Sequence, residues 1–157
     1  MKCALPIVST LIALAAHAET IPADWTAFKT SPDANDKKIV SSIERTAEKR
    51  WFDLCTEWGR AARAAKETRR SRAVFEYLLH AKHINAQDTG NVKSGDVKVG
   101  MTVCGAMAVM GNPTRLHARE SRLGQSLQLV YERASHYATY IHAEITGNGL
   151  LVTSISR

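Results

Sequence analysis

Apolar positions along this 157-residue chain keep two periods, about 3.6 in stretches of its middle and 2 in its last third. Ile39 or Val40, Ile43, Ala47, Trp51, Leu54, Trp58, Ala62 and Ala65 recur at intervals of three and four, which predicts an amphipathic helix with Cys55 on the edge of its stripe. Ser31-Pro32-Asp33 supplies a start signal of hydroxyl, proline and acid. A second apolar set follows at Val74, Phe75, Tyr77, Leu78, Leu79, Ala81 and Ile84. One helix over 32–85 would be about 80 Å long at 1.5 Å per residue, too long for a small globular protein. A break near Thr68–Ser71 is therefore expected, making this helical arm one long helix or a pair. Residues 19–31 show no period and read as irregular, with Trp25 and Phe28 stapling the segment to the body. Residues 86–96, rich in Gly, Asn, Asp and Ser, read as a linker.

Residues 97–113 predict a turn, a short helix and a stop. Gly100 permits a tight turn. Thr102 suits an N-cap, its hydroxyl accepting from an amide two or three residues on. Val103, Ala106, Met107 and Met110 share one helical face. Gly111 stands where a positive φ is wanted, and after Asn112 the ring of Pro113 prevents continuation. Beyond it the period changes. Thr114–Ala118 predicts a short strand, 119–126 a polar turn, and Leu127, Leu129 and Tyr131 one face of the next strand. Tyr137, Thr139, Ile141, Ala143 and Ile145 alternate with Ala138, Tyr140, His142 and Glu144. Gly147-Asn148-Gly149 marks a hairpin before a last strand from Leu150 to about Ser156. The fold class is α+β: a long N-terminal helix or helix pair, a short helix, and a three- to four-stranded antiparallel meander.

The run Val97-x-Val99-Gly100-Met101-Thr102, a short helix and Gly111-x-Pro113, followed by Tyr131 and the Gly147–Ile155 strand pair, resembles the signature of the SmpA/OmlA (BamE-like) envelope domains. The resemblance covers roughly residues 96–156 and assigns 97–157 to such a module. It implies an α+β layer similar to the β-lactamase-inhibitor fold and a protein-binding, non-enzymatic role. Gly100, Met101, Thr102, Gly111, Asn112 and Pro113 would then form the fold and one edge of the binding surface. The helical arm lies outside what the family explains.

Met1-Lys2, an apolar run from Ala4 to Ala16 and Ala16-His17-Ala18 read as a signal peptide over 1–18, cleaved after Ala18. Cys3 precedes the apolar run, where a lipidated cysteine would have to follow it, so no lipobox is present. This departs from the many lipid-anchored members of the resembled family, and the expected location is periplasmic or secreted. Cys55 and Cys104 remain, and an oxidising compartment invites one disulfide between them, two buried thiols being the alternative. The formal charge is +6. In an exported protein that charge points away from nucleic acid and toward anionic lipid or an acidic partner. Arg60, Arg63, Lys66, Arg70 and Arg69 share much of one helix face and would present it, or simply be solvated.

Catalytic signals are weak. His80 and His83 are three apart on a predicted helix, but no third ligand stands at a convincing spacing. His117, His136 and His142 follow no ligand spacing, there is no Gly-x-Ser-x-Gly elbow, and the carboxylates are scattered. No catalytic residue, cofactor or metal is assigned. The sequence reading is an exported scaffold or adaptor binding envelope proteins, such as those of outer-membrane assembly. The alternative is an inhibitor or immunity-type protein that blocks a periplasmic or secreted hydrolase, with Tyr131, Tyr137 and Tyr140 as aromatic anchors.

Overall fold

Five helices precede four strands in the computed structural model, which describes residues 21–121, 124–132, 138–146 and 149–156. The expected signal peptide, His136, Tyr137 and the Gly147-Asn148 turn lie outside the described residues. The α+β class holds, and the meander has four strands.

The segment expected to be irregular contains α1 (Trp25–Thr30), capped by Asp24, whose carboxylate accepts from the Ala27 amide at 2.8 Å. Trp25 and Phe28 are buried, with the Trp25 ring edge-on to Tyr77, so both staple the segment inward. Helix α2 (Ala34–Arg63) is capped by Asp33 rather than Ser31, and its backbone leaves helical geometry once, at Arg50. Ser31 instead donates to Asp36 at 2.5 Å. Asp36 is fully buried and also accepts from Nε and Nη2 of Arg69 at 2.6 and 2.9 Å, tying the start of α2 to the start of α3. Removing one partner of such a buried pair typically costs about 3–5 kcal/mol, because the other charge is stranded.

The arm breaks a few residues earlier than its composition predicts. Ala65 takes a φ of 48°, and Thr68 is the N-cap of α3 (Arg69–His80) rather than part of the break's centre. The reciprocal bonds between Thr68 and Ser71 fix that start. The expected linker is largely α4 (Ala86–Ser94), closed by Gly95 at φ 77°. Asn85 and Asp88 cap its start reciprocally, which outweighs the poor helix propensity of Thr89, Gly90 and Asn91.

Helix α5 (Val103–Met110) is central. Residues 103–108 are all buried, so the one apolar face expected from the sequence is a helix enclosed on every side. Strands β1 (Arg115–Ser121), β2 (Gly124–Glu132), β3 (Ala138–Thr146) and β4 (Gly149–Ser156) form one antiparallel sheet in sequential order. β1 and β2 take up most of the segment expected to be a polar turn. Leu129, Tyr131, Ile141, Ala143 and Val152 join Trp25, Phe28, Ile43, Leu54, Trp58 and the α5 residues in one hydrophobic cluster. The helical arm and the C-terminal segment therefore share a core.

Candidate functional site: the α5 junction and the two sheet edges

The stripe Cys55, Gly59 and Arg63 rises one turn at a time along α2, and every member meets α5. Cys55 is bonded to Cys104 across a Cα separation of 5.2 Å. Gly59 lies against Ala108, so close that an added Cβ would sit 2.0 Å from the Ala108 carbonyl oxygen. The Arg63 guanidinium donates to that same carbonyl. Bridging 49 residues of chain stabilises by about 4 kcal/mol in the chain-entropy account.

The N-terminus of α5 is fastened from two sides. Thr102 caps it as expected, its hydroxyl accepting from the Gly105 amide at 2.9 Å. The same hydroxyl donates to Asp88 Oδ2 at 2.8 Å, and the Thr102 amide donates to Asp88 Oδ1 at 3.0 Å. Asp88 is fully buried and also accepts from the Asn85 amide at 2.8 Å. Composition places Asp88 in a linker, whereas the Asn85-x-x-Asp88 spacing is the capping pattern that marks it. On the other side, Gly100 donates to the Val152 carbonyl at 2.9 Å, and Val152 donates back to Met101 at 2.8 Å. A bridge between Thr102 and Leu151 completes this pairing along the free side of β4. Gly100, at φ 91°, makes the turn that admits it.

Gly111 ends α5 at φ 87°, and its carbonyl accepts from the Tyr131 hydroxyl at 3.2 Å. Burial raises the Tyr131 pKa well above its ordinary value. Tyr131 is thus a core residue and not an interface anchor, which corrects the expectation drawn from its aromatic character. Asn112 is exposed and its amide approaches Asp53 at 3.4 Å, while Pro113 is half-buried. Met101 and Thr102 are buried, so of the six signature residues only Asn112 is fully presented to solvent.

The sheet's face away from the helices is mostly polar. Cross-strand register aligns His117, Gln128, His142 and Ser154 in one row and Arg119, Ser126, Glu144 and Leu151 in the next. A shallow concavity of about 710 Å³ spans the first three members of both rows. Nε2 of His142 lies 3.3 Å from Nε2 of Gln128. Tyr140 is 38% exposed, on the face opposite Tyr131. Among the described residues, no group of three His, Cys, Asp or Glu side chains is placed to hold a metal ion.

The two sheet edges differ. The Gly100–Thr102 segment covers part of the β4 edge, whereas among the described residues β1 pairs with β2 alone. Leu116 on β1 is 47% exposed, between Arg115, which is paired with Glu132, and the exposed His117 and Arg119.

The basic helix face is dispersed. Arg69 is bound to Asp36 and Asp33, and Arg70 holds Glu57 through two bonds at 2.6 and 3.0 Å and Ser42 at 3.1 Å. The Glu57 contact raises the Arg70 pKa above its ordinary value, so that charge serves the fold. Arg60 and Lys66 remain exposed.

No protein-family model, curated protein or solved structure matches this chain. No described helix is long and apolar enough to cross a membrane.

Proposed function

We propose that this chain is an exported, non-enzymatic protein-binding module of the envelope, similar in kind to the SmpA/OmlA domains, and that it takes up a partner strand along β1. The observation carrying this reading is that β1, beside the half-exposed Leu116, has no strand on its other edge among the described residues. An unpaired edge offers a row of amides and carbonyls to an incoming strand, and natural sheets usually protect such edges. Here the protection is given to β4 by Gly100–Thr102. His117 and Arg119 would favour a partner strand carrying carboxylates. The Cys55–Cys104 disulfide is consistent with an oxidising compartment and supports export. Of the described tyrosines that would anchor the inhibitor alternative, Tyr131 is buried and Tyr140 lies on the opposite face.

The test is in-cell photocrosslinking from a benzoylphenylalanine placed at Leu116 or Arg119, with the same probe at the exposed Lys49 as control. Outer-membrane assembly components captured from the β1 positions and not from Lys49 support the adaptor. A single hydrolase captured in equal amount moves the assignment to an inhibitor. Equal capture from all three positions, or none, removes β1 as the docking edge.

A further inference from the structure

A second concavity lies on the helical side of the molecule, remote in sequence from β1. It has a volume of about 670 Å³ and opens where the end of α2, the start of α3 and the flank of α4 converge. That volume falls within the range of about 300–1,000 Å³ typical of small-molecule sites. Its floor is apolar: Trp58 and Phe75, with ring centroids 5.9 Å apart, beside Ala61 and Ala62. Its rim is cationic, with Arg63, Lys66, Arg72 and Lys93 against one carboxylate, Glu67.

These cations are differently placed to meet a ligand. Arg72 is committed to Glu76 at 2.6 Å and lies over the Phe75 ring, so it closes one wall. Arg63 spends one donor on the Ala108 carbonyl and has no ion-pair partner among the described residues. Lys66 and Lys93 are exposed and have no ion-pair partner among the described residues. Lys93 comes from the segment that composition reads as a linker, and folding it into α4 brings it to the α2 cluster.

We propose that this cavity binds a single-chain anionic amphiphile, its acyl chain on the Trp58–Phe75–Ala62 floor and its carboxylate between Lys66 and Lys93. The pairing of an apolar floor with an excess of positive rim charge distinguishes this ligand class from a neutral apolar molecule, which leaves the lysines unused. It also distinguishes it from a bare inorganic anion, which leaves the floor unused. The volume suits one chain and not a helix or a strand.

Submicellar dodecanoate is the probe, titrated calorimetrically into the oxidised protein. Saturable one-to-one binding is expected, with no binding of acetate or of dodecyl maltoside. The double variant K66E/K93E should weaken it by about tenfold or more, as reversal of two contacting charges does. K37E/K38E, the same charge change near the start of α2, should leave it nearly unchanged. A62W, which fills the floor, should abolish it. Melting curves confirm that each variant folds, and the two exposed lysines carry the test alone if A62W does not. Failure of the wild-type protein to bind dodecanoate overturns the proposal. So does binding that survives both K66E/K93E and A62W, or that dodecyl maltoside matches. Adsorption to phosphatidylglycerol vesicles without binding of free dodecanoate also overturns it, by assigning the charge to a membrane surface. None of these readouts depends on β1.

Discussion

Asp88 holds Thr102 at two points, accepting from its amide at 3.0 Å and from its hydroxyl at 2.8 Å. The two residues cap α4 and α5 respectively, so one buried carboxylate sets the relative position of both helix starts. Thr102 in turn bridges to Leu151, which carries the arrangement into the sheet. The strand-covering segment and the central helix are therefore placed by a single hydrogen-bonded group.

Replacing Asp88 by Asn should be nearly as damaging as replacing it by Ala. Both carboxylate oxygens accept from donors, and an amide nitrogen would face a donor whichever way it turned. Each buried donor left without a partner costs about 1–3 kcal/mol, so either variant should lose about 3 kcal/mol in urea unfolding. Thr102→Ser keeps the hydroxyl and should lose much less than Thr102→Val. Asp88→Asn unfolding at the wild-type urea midpoint would show that this network contributes little.

Three glycines should answer differently to the same added methyl group. At Gly59 it meets the Ala108 backbone, and at Gly105 it falls 2.4 Å from Asp88 Oδ1. Both alanine variants should lose about 3 kcal/mol or more, in the range of severe overpacking. Gly90 lies within α4 with nothing within 4 Å of the added atom. Gly90→Ala should gain about 0.5–1 kcal/mol from helix propensity. Thermal melts of the three variants decide the matter, and equal shifts would contradict the close α2–α5 approach.

What the sequence disclosed and what it hid divide along physical lines. Long-period signals were readable: the α2 stripe, the alternation of Leu127, Leu129 and Tyr131, the cap at Thr102 and the positive φ at Gly111 all appear as expected. Short helices were not, because α1 and α4 carry too few apolar residues to establish a period. Their evidence is in caps, Asp24 for one and Asn85 with Asp88 for the other, and composition masked it. Tyr131 shows a different limit. Alternation placed it correctly on a face, but burial of that end of the face depends on α5, which only the tertiary fold supplies. The arginines show the same: Arg69 and Arg70 share a face in sequence, yet their partners Asp36 and Glu57 come from elsewhere in the chain.

Reduction of Cys55–Cys104 should cost about 4 kcal/mol, a large part of the 5–15 kcal/mol typical of a whole domain. Both cysteines are buried, so reductant reaches them only when α2 and α5 separate. The native protein should therefore be reduced slowly in buffer and quickly in moderate urea. The C55A/C104A variant should unfold at a clearly lower urea concentration than the oxidised wild type. Rapid reduction of the folded chain without denaturant would show that the junction opens freely.

Acid should weaken the fold in two stages. His83 is stacked on Trp51, with ring centroids 4.8 Å apart, and burial depresses its pKa below the ordinary 6.5. Below pH 6.5 the unfolded chain takes up this proton before the folded one does, so stability falls from there toward the lower folded pKa. Asp36 acts in a lower window. The hydrogen bonds from Arg69, chiefly, hold its pKa below the ordinary 3.8 despite burial, so its contribution is complete above that value and lost as pH falls through the folded pKa. Urea midpoints measured from pH 7.5 downward should decline first near pH 6 and again below pH 4. His83→Phe keeps a ring against Trp51 and removes the proton, so it should flatten the first decline and leave the second. If the first decline persists in that variant, another group causes it and His83 is neutral in both states over that range.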